Sequence, residues 1–234
     1  MRNIIECRKV TKDYDNVRAL NEVELSVPDT GGIVGLLGPN GSGKTTLIKL
    51  LTGLLQPSEG SVQVAGKNIG VETKAIVSYL SDAHSLTDKY TVMEQVEFFQ
   101  DFFDDFDRAK AEKMIFELGI NFKSKIKTLS KGTKEKLALI LTLSRNARLF
   151  ILDEPIAGVD PAARDYILST ILSHKQANAT MLISTHLISE IEQYFDYVIF
   201  LKEGRVVLEG KTGEIRESEG KSIDELFREV FRWM

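Results

Sequence analysis

The feature that most limits what this chain can fold into is the octapeptide Gly38-Pro39-Asn40-Gly41-Ser42-Gly43-Lys44-Thr45. It follows the apolar run IVGLL at 33–37 and leads straight into a segment of helical character. Glycines at 38, 41 and 43 allow the backbone to curl around an anion with successive amides pointing inward. The helix start at Thr45 and Thr46 adds the positive end of its dipole. The pattern fits G-x-x-x-x-G-K-[ST] in the strand–loop–helix setting that the motif requires. A nucleoside triphosphate, in practice ATP, is the ligand this cradle predicts, with Lys44 reaching the β- and γ-phosphates and the Thr45 hydroxyl on Mg²⁺.

A loop of this kind needs a sheet to present it. The runs at 33–37, 149–152 and 180–184 are apolar at every position, as strands covered by helices on both faces are. Helix-like segments follow at 43–54, 161–173 and 188–194, the second with Asp160 as N-cap and Pro161 in its first turn. This alternation predicts an α/β fold, a phosphate-loop NTPase core with a central parallel sheet. Short β-rich segments at 4–7, 23–27 and 61–65 predict an antiparallel β patch beside it.

Between 87 and 145 the pattern turns wholly helical, starting at the capping box Thr91-Val-Met-Glu94. That block reads as an inserted helical lobe, with the phenylalanines at 98, 99, 102, 103 and 106 either as its core, the favoured reading, or as part of a groove for a short helix of a partner. A hairpin, YVIFL-KEGR-VVLEG, and a helix opened by Ser222 and Glu225 complete the chain. The expected layout is a single ATPase domain over 1–234: an α/β core at about 1–86 and 146–215, the helical lobe at about 87–145 and a C-terminal helix at about 222–234.

Composition bears on partners. The net charge is −4 and basic residues are interspersed with acidic ones, so no footprint for a nucleic-acid backbone is present and no direct nucleic-acid contact is expected. Cys7 is the single cysteine, which excludes an internal disulfide and suits a reducing, cytoplasmic setting. The apolar runs are strand-sized and fall well short of the roughly 20 residues a membrane helix needs.

The run at 149–152 ends in Asp153-Glu154-Pro155, which places two carboxylates at the carboxyl edge of a central parallel strand, where open α/β sheets bind ligands. Asp153 is expected to hold Mg²⁺ through its water shell. Glu154 is expected to orient or deprotonate the water that attacks the γ-phosphate.

The phosphate loop, Leu129-Ser130-Lys131-Gly132-Thr133 at a helix start, LFILDEP, Ala157-Gly158-Val159-Asp160 and Ser184-Thr185-His186 occur in the order of the ABC ATPases. The chain resembles that family over essentially its whole length, and most closely the ATP-binding subunits of bacterial exporter-like ABC transporters. The resemblance implies that two such domains, identical or related, pair head to tail around two ATP molecules. Ser130, Lys131, Gly132 and Thr133 would then form the signature segment that meets the partner's ATP. It further implies Tyr14 stacked on adenine, Glu154 as base, His186 as γ-phosphate sensor and Asp160 coupling the two sites. Separate transmembrane permease subunits would be the partners, with the chain peripheral on the inner face of the membrane. Superfamily members acting on nucleic acid or ribosomes form the rival class. A single ATPase unit, and too short a stretch between Lys44 and Leu129 for a long coiled coil, argue against it.

Two positions depart from the family pattern. The signature reads LSKGT where LSGGQ is usual, and Asp82 stands where the family has a glutamine that faces the metal. An aspartate there keeps an oxygen toward Mg²⁺ but adds a charge, which predicts tighter metal binding with slower turnover, as in an ATP-gated switch. Asp82→Gln is expected to raise the ATPase rate and weaken the Mg²⁺ dependence, both read by steady-state phosphate release across a Mg²⁺ titration. An unchanged rate and unchanged dependence would remove the idea.

Overall fold

The computed structural model describes residues 2–81, 86–157, 161–174 and 178–232, with backbone alone for 161–163. Strands β1 (Asn3–Tyr14) and β2 (Val17–Pro28) pair antiparallel, with Tyr14 opposite Val17 at the turn. Strand β3 (Gly32–Leu37) ends at the phosphate loop and α1 (Lys44–Leu51) leaves from it. β4 (Glu59–Val64) runs back along β1, and β5 (Lys67–Asn68) closes a four-stranded antiparallel sheet in the order β2-β1-β4-β5. This is the expected β patch, with longer strands than the sequence marked.

A short helix α2 (Val71–Ile76) leads into β6 (Val77–Leu80), the edge of the main sheet. Helices α3 (Val92–Phe102), α4 (Arg108–Glu117) and α5 (Lys131–Leu143) follow, with a 3-10 turn at Ile126–Thr128 before α5. The chain then alternates through β7 (Leu149–Asp153), α6 (Pro161–Ser173), β8 (Thr180–Thr185), α7 (Ile188–Ile191) and β9 (Tyr197–Lys202). It closes with β10 (Arg205–Lys211), α8 (Thr212–Glu219) and α9 (Ile223–Val230).

The main sheet runs β10-β9-β3-β8-β7-β6, with β9, β3, β8, β7 and β6 parallel and β10 antiparallel to β9. The three apolar runs are thus the contiguous centre β3-β8-β7. Residues of these strands and of the neighbouring β9 divide between two cores by strand alternation. Ile33, Phe150, Leu152, Met181, Ile183 and Phe200 face a core shared with α5, α6 and α9. Val34, Leu36, Ile151, Leu182, Ile199 and Leu201 face a core shared with α1 and the antiparallel sheet. Both faces are dry, so each run is uniformly apolar.

The segment between β6 and β7 has its own core of Val92, Val96, Met114, Ile115, Leu137 and Ile140. Leu86 packs against both this cluster and the sheet core. The Thr91 hydroxyl accepts from the Glu94 amide at 3.2 Å while the Glu94 carboxylate accepts from the Thr91 amide at 2.6 Å, as the capping box requires. The phenylalanine row divides between surfaces. Phe99 and Phe106 pack on the lobe core, whereas Phe98 and Phe102, four residues apart on the outer face, are 42% and 68% exposed.

Some boundaries differ from the sequence expectation. The first helix stops at Leu51, because Gly53 takes a left-handed φ of 70°. The segment at 188–194 makes one α turn and then a 3-10 turn at Glu192–Tyr194. Helix α8 was invisible because Ile215 is its one large buried side chain. The stripe on α9 packs onto its own sheet core through Ile223, Leu226 and Phe231. Among the described residues no helix is long and apolar enough to cross a membrane.

Arg145 ties the helical lobe to the sheet. Buried to 3% exposure, it donates to the Val77 carbonyl at 2.6 Å, the Ala75 carbonyl at 2.8 Å and the Asp105 carboxylate at 2.8 Å, with Phe103 stacked 4.0 Å from the guanidinium. Removing one partner of such a buried pair costs about 3–5 kcal/mol, since the other charge is left desolvated. Arg145→Met is therefore expected to lower the thermal midpoint by about 10 °C, read by far-ultraviolet circular dichroism.

Candidate phosphate-binding and hydrolytic site

The carboxyl edge of β3-β8-β7 gathers the predicted residues. Gly43 is the N-cap of α1 with φ 107°, a left-handed conformation, and supplies no side-chain cap. The first amides of α1 therefore keep their hydrogen-bonding capacity for a ligand. A Cβ at Gly43 would lie 2.7 Å from the Ala19 carbonyl, so only glycine fits here. At Gly38 a Cβ would lie 2.4 Å from the Leu201 carbonyl, which packs the loop tightly onto β9. The exposed loop residues Asn40 and Gly41 line a cleft of about 520 Å³ together with Lys44, Thr45, Thr46 and Glu154.

Lys44 is 7% exposed, and its ammonium donates to the carbonyls of Gly38 at 2.7 Å and Pro39 at 3.2 Å. Burial lowers its pKa, while Glu154 and then Asp153 act to raise it. A desolvated cation held by loop carbonyls, with a carboxylate 4.0 Å away, is primed for an incoming anion. The Ser42 hydroxyl in the same loop is buried without a hydrogen-bond partner among the described residues.

β7 and β8 pair so that Asp153 stands beside Ser184. The Ser184 hydroxyl donates to Asp153 Oδ1 at 2.5 Å and accepts from the Glu154 amide at 3.0 Å. Glu154 leaves the strand with φ 50°, the left-handed region, which costs a non-glycine residue about 1–2 kcal/mol. That turn aims its carboxylate at the loop. Glu154 Oε2 lies 2.9 Å from His186 Nδ1 and Glu154 Oε1 lies 4.0 Å from Lys44 Nζ. One carboxylate thus meets the phosphate-loop lysine and a half-exposed histidine.

The residues present suit a bound magnesium nucleotide. Asp153 offers a buried, hydrogen-bonded carboxylate and Thr45 an exposed hydroxyl. No cluster of three or more His, Cys, Asp or Glu able to hold a metal occurs among the described residues. Magnesium, which keeps waters and phosphate oxygens as ligands, needs no such cage.

Of the other predicted residues, Lys131 lines a small pocket with Asp153 and Glu154, while Ser130, Gly132, Thr133 and Tyr14 line neither that pocket nor the phosphate-loop cleft. Ser130 caps α5, its hydroxyl accepting from the Thr133 amide at 3.2 Å and lying 2.8 Å from the Thr133 hydroxyl. A Cβ at Gly132 would meet open space, and Lys131 pairs with Glu135 at 3.8 Å. Ser130, Lys131, Gly132 and Thr133 are absent from the described lining of the phosphate-loop cleft. Tyr14 is 40% exposed at the end of β1, with the Lys12 ammonium 5.4 Å from its ring centre, and its pairing partner Val17 reaches the cleft. Asp82 and Asp160 lie outside the described residues. Sequence reasoning gave Ser184 no role; a small hydroxyl at a fully buried strand end opposite an Asp-Glu pair was the available signal.

Because the Ser184 hydroxyl orients both Asp153 and Glu154, Ser184→Ala is expected to cut ATPase turnover about 10–100-fold, as loss of a supporting contact around a metal ligand does. Phosphate release at saturating ATP and Mg²⁺, with unfolding curves to confirm a folded variant, measures it.

A model of the ABC transporter family matches residues 20–157. Among curated relatives, the Nod factor export ATP-binding protein I of Cupriavidus pinatubonensis is 31% identical, over 92% of this chain and 69% of that protein. The ABC-type transporter ATP-binding protein EcsA of Bacillus subtilis is 29% identical, over 97% of this chain and 96% of its own length. A solved structure of an ATP-binding subunit of an ABC transporter superposes with a TM-score of 0.85 at 30% identity, covering 97% of this chain and 99% of the other. Phosphate cradle, acidic strand end and relatives agree, and the chain belongs to the ABC transporter family as an ATP-binding subunit with ATPase activity.

Proposed function

We propose that this chain is one motor of a two-motor exporter, hydrolysing Mg-ATP to drive separate transmembrane permease subunits from the cytoplasmic face of the membrane. The single observation that carries this reading is the convergence of Lys44, Glu154 and His186 at the lip of the phosphate loop. Export is supported by the Nod factor export ATP-binding protein I of Cupriavidus pinatubonensis, which bears it in its name.

The chemistry follows from the groups in place. Amides of Gly41 to Thr46 and the Lys44 ammonium would hold the phosphates, and Thr45 and Asp153, with Asp82 as the sequence suggests, would hold Mg²⁺. Held there, Mg²⁺ would supply neutralisation of charge on the phosphate oxygens. Glu154, turned toward the loop and braced by His186, takes a proton from the attacking water, and His186 senses the γ-phosphate. Tyr14 stacks on adenine.

A lone subunit keeps Ser130, Gly132 and Thr133 outside its own described cleft, although Lys131 reaches a small pocket beside Asp153 and Glu154. In a head-to-tail pair, Ser130 and Gly132 of each copy meet the ATP of the other, with the α5 N-terminus aimed at phosphate, and Asp160 couples the sites. The whole of 1–234 acts as one ATPase domain, the lobe at about 87–145 carrying the signature and facing the permease.

Replacing Glu154 by Gln removes the base while keeping shape. Glu154→Gln is expected to slow phosphate release by about a hundredfold or more and to yield an ATP-stabilised dimer on size-exclusion chromatography that the wild type does not accumulate. Retained turnover in that variant would reject Glu154 as base. Recovery of the tagged chain with ribosomes or DNA, and without a polytopic membrane protein, would reject the transport reading.

A further inference from the structure

Resting on the reading of the cleft as the ATP site, we propose that Glu203 reads the nucleoside end of the substrate by accepting hydrogen bonds from the ribose hydroxyls. Glu203 and Gly204 form the two-residue turn between β9 and β10, where Lys202 pairs with Arg205. Both have positive φ, 47° and 74°, as a tight primed hairpin turn demands. The turn is wedged in place. The Gly204 amide donates to the Ser42 carbonyl of the phosphate loop at 2.9 Å, the Asn21 amide donates to the Gly204 carbonyl at 2.9 Å, and a Cβ on Gly204 would lie 2.7 Å from the Ala19 carbonyl.

This position sits between two different walls of the same cleft. On one side are Lys44 and Thr45, which take phosphate; on the other are Val17 and Ala19 at the start of β2, with Val17 64% exposed as an apolar surface. A nucleotide laid from phosphate to base across the cleft passes its ribose between them. Glu203 lines that cleft, is exposed, and has no hydrogen-bond or ion-pair partner among the described residues.

A free carboxylate beside a triphosphate site opposes binding by charge unless it meets donors. Ribose hydroxyls are the donors that the nucleotide carries at that distance from its phosphates, and a carboxylate accepting from them discriminates ribose from deoxyribose. The exocyclic amine of adenine is the competing donor.

The test is a binding titration of the full chain with Mg²⁺ and, in turn, ATP, 2′-deoxy-ATP, 3′-deoxy-ATP and inosine triphosphate, which lacks the adenine amine. The same series is run on Glu203→Asn, because asparagine tolerates the left-handed turn and is too short to reach. The expected result is that the wild type binds ATP about tenfold more tightly than at least one deoxy analogue, and that the ratio falls to about one- to twofold in Glu203→Asn. Taking the ratio cancels the loss of charge, which acts on all the triphosphates alike. A ratio near one in the wild type, or one unchanged by the substitution, overturns the proposal. So does a preference for ATP over inosine triphosphate that vanishes in the variant, which assigns Glu203 to the base. A wild-type chain that binds none of the triphosphates overturns the ATP-site reading and this proposal together, whereas tight ATP binding with an unaltered ratio overturns the role of Glu203 alone.

Discussion

Burial of both faces of the β3-β8-β7 ribbon is the constraint on which the rest of the structure depends. Parallel strands cannot be joined by tight turns, so each crossover must cover a face of the sheet, and a strand covered twice is apolar at every position. Ile33, Phe150, Met181 and Ile183 on one side and Val34, Ile151 and Leu182 on the other lock the three strands against rotation or slip. Because they run the same way, their carboxyl ends emerge together. The phosphate loop after β3, the acidic pair after β7 and the histidine after β8 are therefore neighbours by construction.

Electrostatics at that edge are arranged before any ligand arrives. Lys44 is stripped of water and leans on carbonyl oxygens, Asp153 is held by the Ser184 hydroxyl, and Glu154 is fixed by two hydrogen bonds to its amide in a backbone conformation that glutamate seldom adopts. Each of these costs free energy in the isolated fold. The cost is met by the large cores on either side of the sheet, and its return is a site whose groups need little rearrangement when phosphate charge enters. The helical lobe has its own small core and is locked to the sheet by α5, whose Ala138, Leu139 and Leu143 lie in the sheet core, together with Leu86 and the buried guanidinium of Arg145.

Much of this was legible in the residues. The octapeptide at 38–45 needed only its flanking strand and helix to be read, because glycine placement and a lysine at the helix start are local requirements of an anion cradle. The capping boxes at Thr91 and Ser222 were equally local and both formed. The phenylalanine row was less so. Five aromatic residues suit either a lobe core or a partner groove, and helical geometry turns Phe98 and Phe102 outward while Phe99 and Phe106 pack inside, a division that composition alone does not carry. Helix α8 escaped notice for the opposite reason, having almost no apolar signal.

The sequence by itself determined the elements and their chemistry: buried parallel strands, a phosphate-gripping turn, two carboxylates at a strand end. These follow from nearest neighbours along the chain, through side-chain periodicity and backbone freedom. Only the tertiary structure decided which atoms meet. That Ser184 bridges Asp153 and Glu154, that Glu154 faces both Lys44 and His186, and that the turn at Glu203 is wedged against the phosphate loop depend on register between strands far apart in sequence. Distances of a few ångströms between such groups are set by how whole faces pack, and no local pattern encodes them.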